Sequence, residues 1–140
     1  MSKTSRLWIA RLLIGLVTAW NLQAALIFIL RPEQYAPGFE LAGVPGAAAV
    51  RGTGILFLMW NVPYLLALWH PHKYRLVLRL ALAMQLTGLV GESLMLATLP
   101  QGYTLLRASI TRFIAFDASG LVLLVAGFWL SNLNIVRHQA

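Results

Sequence analysis

Cysteine is absent from the chain, which excludes disulfides, thiolate metal sites and thiol redox chemistry. Charge is scarce as well: 11% of the residues are charged, and only four are Asp or Glu. A soluble domain carries about a quarter charged residues, so a water-facing globule is excluded. There is no Lys/Arg run or basic stripe, so the net charge of +7 is not the footprint of a nucleic-acid partner. Phosphate-binding loops, dinucleotide fingerprints, zinc-protease helices and nucleophile elbows are all missing. No histidine lies inside a hydrophobic run, which excludes a bis-His haem within a bilayer. Internal repeats and low-complexity tracts are lacking too.

What is present is apolar: 59% of the residues are hydrophobic. Four runs emerge, at residues 7–30, 48–69, 76–99 and 112–130. The third rises roughly 36 Å as a helix, enough to cross a hydrocarbon core of about 30 Å. The first is too long for a signal-peptide core and lacks a small-residue cleavage site, so it reads as a retained span. The expected fold is therefore all-α: a single polytopic membrane domain over residues 1–140, four transmembrane helices in an antiparallel up-down bundle.

Orientation follows from loop charge. Lys3, Arg6, Arg11, Lys73, Arg75, Arg79 and Arg137 gather on one side, and Arg31, Arg51, Arg107 and Arg112 on the other, beside Glu33 and Glu40. Trp8, Trp69 and Trp129 fall at the more basic side, where indole marks an interface. Both termini are expected in the cytoplasm, across a bacterial-type cytoplasmic membrane. The short turn at 70–75 makes the second and third spans a hairpin. Residues 31–47 are rich in Pro and Gly and carry Tyr35, Phe39 and Leu41, which suits a compact extracytoplasmic cap. Residues 104–111 are amphipathic and are expected to run straight into the last span.

Counting residues up from the Trp belt places the polar side chains by depth. Asn21, Asn61 and Gln85 come out roughly 12–15 Å up, near the midplane. Amides there hydrogen-bond between helices, and Gly54, Gly88, Gly120 and Gly127 beside them permit close approach. Asp117 comes out at roughly 18 Å, and Arg51, Glu92 and Arg112 at about 24–27 Å. Two carboxylates and two guanidiniums at similar depth are expected to meet, either as buried salt bridges or as a polar pocket in the outer leaflet with the cap as its lid. Pro63 removes one helical donor and is expected to kink the second span. His70, His72 and His138 share the cytoplasmic side. With no carboxylate or cysteine nearby they read as interfacial residues, and no metal site is expected.

Pro32 and Tyr35, then Gly43-Val44-Pro45 ahead of a Gly-containing second span, resemble the DoxX-like group of small four-helix membrane proteins. That group carries an acidic residue early in its second span, where this chain has Arg51. The resemblance implies a four-helix bundle associated with membrane redox partners and transfers no catalytic residue.

Three functions follow as expectations. The first is a non-catalytic accessory or assembly subunit of a larger membrane complex, with other membrane subunits, a second copy and membrane lipids as partners. The second is an amphiphile-binding protein or DoxX-like redox-associated enzyme, with a lipid or quinone held at Arg51, Glu92, Arg112 and Asp117. The third is a small proton-coupled transporter using Glu92. No cofactor is called for beyond such a bound lipid or quinone.

Overall fold

The computed structural model describes residues 2–132, and every regular element among them is helical. Helix α1 spans Lys3–Leu30, α2 Pro32–Tyr35, α3 Gly43–Trp69, α4 Arg75–Thr98 and α5 Thr104–Asn132; a 3-10 turn covers Ala36–Phe39. The four long helices are each long and apolar enough to cross a membrane. Arg137 and His138 lie outside the described residues.

Local chemistry sets the helix ends. The Ser2 hydroxyl accepts from the Ser5 backbone N–H at 3.1 Å and caps α1. That helix ends at Arg31 because the next residue is Pro32, which in turn opens α2 at a position where its missing N–H costs nothing. Glu40 stops the 3-10 turn in the left-handed conformation at φ 56. Helix α3 begins at Gly43, earlier than the expected 48. Pro45 falls in its first turn, where no helical donor is needed. It ends where Pro71 follows His70. Leu99, Pro100 and Gly102 (φ 103) end α4, and α5 runs unbroken from Thr104, so residues 104–111 do continue into the last long helix.

On these apolar helices the hydroxyls turn back on their own backbones. Thr18, Thr53, Thr87 and Thr111 each donate to the carbonyl one turn earlier.

Helix α1 packs along both α3 and α5, and α4 along α5, while α3 and α4 touch less. Early residues of α1 lie against late residues of α3. Arg11 of α1 donates to the carbonyl of Trp69, the last residue of α3, at 2.7 Å. At the other end of this pair, Gly54 sits so close to α1 that a Cβ there would fall 2.8 Å from Phe28 Cβ and 2.9 Å from the Ala25 carbonyl. A core of Ile14, Val17, Tyr64, Ala67, Leu78, Ala81 and Leu124 joins all four long helices toward the end that carries the 70–74 turn. We call this the hairpin end, and the opposite one the capped end.

The segment 31–42 forms a compact cap. Its Pro32 and Ala36 are buried, whereas Tyr35 and Leu41 are covered only in part, at 38% and 40% exposed. Phe28 is the hub beneath it, with ring centroids 5.3 Å from Tyr35, 5.8 Å from Phe39, 5.9 Å from Phe57 and 6.2 Å from Phe113. The cap is tied to α5 by polar bonds as well. One Glu40 carboxylate oxygen accepts from the backbone N–H groups of Leu105 and Leu106 at 3.0 and 3.3 Å. These are orphan donors of the first turn of α5, where a negative charge is favoured.

Candidate functional site

Glycine spacing brings α4 and α5 together where the polar residues lie. Gln85, Gly88 and Glu92 share one face of α4 because they fall at i, i+3 and i+7. Opposite Gly88 stands the Asp117 carboxylate, in space that a Cβ would have to share. Opposite Gln85 stands Gly120, where a Cβ would sit 2.8 Å from the Gln85 amide nitrogen. The two absent side chains are what let these groups enter the helix interface.

A directional chain of hydrogen bonds results. The Tyr64 hydroxyl of α3 donates to Oε1 of Gln85 at 2.6 Å and lies 3.2 Å from the Ala81 carbonyl. The Gln85 amide Nε2 donates to Oδ1 of Asp117 at 2.9 Å. Tyr64 and Gln85 are 3% and 4% exposed, so this chain lies in the interior of the bundle. It joins three helices through one amide, which is the interhelical bonding expected of Gln85. The other two amides behave differently. Asn61 donates back to the Phe57 carbonyl of its own helix at 2.8 Å, and its buried Oδ1 has no partner. Asn21 lines the cavity described next.

Beyond the chain, toward the capped end, a cavity of about 320 Å³ opens between α3 and α4. Asp117 and Glu92 both line it. Its walls are Phe57, Trp60, Tyr64, Phe113 and Phe116, with Met84 and Met95. Trp60, Gly91 and Met95 are exposed and stand at its mouth on the bundle surface. Glu92 reaches inward, and its Oε2 is buried without a hydrogen-bond partner.

The expected quartet of Arg51, Glu92, Arg112 and Asp117 is divided. Arg51 lies at the surface, where its Nη2 is 3.8 Å from Glu33 and its Nε donates to the Ile29 carbonyl at 3.3 Å. Arg112 turns to the cap and donates to Ser109 Oγ at 2.9 Å. Glu92 and Asp117 alone share the cavity, and among the described residues neither forms an ion pair. The physical reason is azimuth. Arg112 and Asp117 are five residues apart on one helix, a rotation of roughly 140°, so equal depth does not mean one face. His70 lies 3.2 Å from Arg11 Nη2, and among the described residues no group of three or more His, Cys, Asp or Glu gathers as a metal centre.

The arrangement can hold positive charge: two carboxylates, aromatic faces and thioethers surround a space that apolar matter can reach from the side. Comparison with protein-family models, curated proteins and solved structures finds no match to this chain.

Proposed function

We propose that this is a multi-pass membrane protein that binds a lipophilic cation in the wedge between α3 and α4. One observation carries the reading: Glu92 and Asp117 share a cavity that no Lys, Arg or His side chain lines. A carboxylate inside a bilayer is costly until something balances it. Lacking an internal cation, the site is balanced by a bound one, or by protons when the cavity is empty. The aromatic walls favour an organic ammonium or phosphonium, because ring faces attract cations that have shed little water. Calcium-type ions demand six to eight oxygen ligands, more than these side chains supply. A site that holds either a cation or protons is also what proton-coupled exchange requires, so the reading develops the expectation for Glu92.

The helix contacts support an antiparallel up-down order, and the basic residues around the hairpin end support placing it on the cytoplasmic side. The cavity then opens in the outer half of the membrane. An accessory role in a larger complex rests only on exposed apolar helix surface, which lipid contact by itself requires.

Equilibrium dialysis of tetraphenylphosphonium against the detergent-solubilised protein tests the reading. Saturable binding is expected, weakened about tenfold or more by Glu92→Gln, the loss anticipated for an ionic partner in a dry site. Asp117→Asn keeps the acceptor for Gln85 and should weaken binding while the protein stays folded. Unchanged affinity in the double variant overturns the proposal.

A further inference from the structure

A second hollow lies on the other side of α5, in the groove between α1 and α5 beneath the cap, with a volume of about 720 Å³. It has the opposite electrostatic character. Its floor is aromatic, with Trp20, Phe28, Phe39, Phe113 and Phe116, and neither Glu92 nor Asp117 lines it. The charged residue that does line it is Arg112, at the end nearest the cap.

Arg112 is held by a buried hydroxyl. It donates to Ser109 Oγ at 2.9 Å, and Ser109, 3% exposed, donates in turn to the Gly38 carbonyl at 2.6 Å. The cap thus fixes the guanidinium at the head of the groove. Among the described residues no carboxylate pairs with it. A guanidinium offers five N–H donors in a planar fork suited to phosphate, and the bond to Ser109 engages one nitrogen. Gln34 of α2 also lines this end and adds amide donors. From Arg112 the groove descends along α5 to Ser119, roughly 10 Å deeper. There Trp20 and Phe116 face each other with centroids 5.8 Å apart.

We propose that this groove holds an anionic phospholipid, its phosphate at Arg112 and one acyl chain along the aromatic floor toward Trp20. Charge complementarity selects the headgroup, and the graded lining selects an amphiphile over a free anion: Arg112, Gln34 and Ser109 at the capped end, and below them mainly aromatic and aliphatic side chains, with Gln23 and Ser119 as the polar ones. The inference stands apart from the cation wedge, although Phe113 and Phe116 form a wall common to both hollows.

Native mass spectrometry of the detergent-solubilised protein, offered equal phosphatidylglycerol and phosphatidylcholine, tests it. Selective retention of phosphatidylglycerol is expected, with the preference reduced about tenfold in Arg112→Gln and unchanged in Arg51→Gln. Equal retention of the two lipids overturns the proposal, and so does an equal loss in both variants, which would mean diffuse surface charge. Should Arg112→Gln fail to fold, a chain that keeps Trp20 and carries Phe at the other four tryptophans continues the test. Phosphatidylglycerol brominated on its acyl chains is expected to quench Trp20 more strongly than equally brominated phosphatidylcholine does, and equal quenching by the two overturns the proposal.

Discussion

Gln85 does what no apolar side chain could do at its position: it accepts from α3 and donates to α5 through one planar group. Its geometry depends on both partners. Tyr64→Phe removes the hydroxyl and leaves the Gln85 carbonyl oxygen buried without its donor. The expected loss is about 1–3 kcal/mol of stability, the penalty for an unsatisfied buried acceptor, read by thermal unfolding in detergent. Gly54 makes a second residue-scale prediction. A Cβ at that position meets the Ala25 carbonyl and Phe28 Cβ, neither a flexible chain end that could swing away. Gly54→Ala should therefore force α1 and α3 apart and cost about 1–3 kcal/mol by the same measurement. At this scale the sequence was partly legible. The glycines and amides stood out because both are conspicuous inside apolar runs. The division of the charges did not, because depth was counted along each helix while rotation about it was not.

At the scale of elements, the cap is decided by one residue with two opposed effects. Glu40 adopts a left-handed backbone, which costs a non-glycine residue roughly 1–2 kcal/mol. Its carboxylate meanwhile satisfies two N–H groups at the start of α5. The two substitutions separate these effects. Glu40→Ala keeps the backbone cost and loses the bonds, so it should destabilise by about 1–2 kcal/mol. Glu40→Gly also loses the bonds but relieves the backbone, so it should be the milder variant by a few tenths to 1 kcal/mol. A Glu40→Gly chain that melts below Glu40→Ala would show that the left-handed backbone costs nothing, and a Glu40→Ala chain that melts with the wild type would show that the carboxylate contacts contribute nothing. Proline and glycine density announced that 31–47 could not be one long helix, and that part was readable. The hub role of Phe28 was not, because it depends on α1, α3, α5 and the cap meeting around one ring.

For the whole molecule, the decisive asymmetry is that α1 is gripped by α3 and α5 while α3 and α4 hold each other mainly toward the hairpin end. Those two helices part toward the cap, which is where the wedge lies, while α1, α3 and α5 stay packed around Phe28. The arrangement across the membrane can be read directly because the chain has no cysteine to mask a label. Single-cysteine variants Ser2→Cys and His72→Cys are expected to react with an impermeant maleimide from one side of sealed vesicles. Gln101→Cys should react from the other, since α1, α3 and α4 intervene between Ser2 and Gln101. Labelling of Ser2→Cys and Gln101→Cys from the same face would refute the up-down order.

That the chain is helical, apolar and able to cross a membrane in four places follows from its residues alone. Those properties depend on composition and on runs along one dimension: too little charge for water, enough length for lipid, and breakers where the runs end. Which side chains meet is a matter of packing, because it depends on how each helix is rotated against its neighbours. A turn of roughly 140° on α5 sends Arg112 to the cap and Asp117 to Gln85. The carboxylates are thereby gathered without their guanidiniums, so the four charges form neither one salt-bridged cluster nor one polar pocket, and Arg112 lines a different hollow from Glu92 and Asp117.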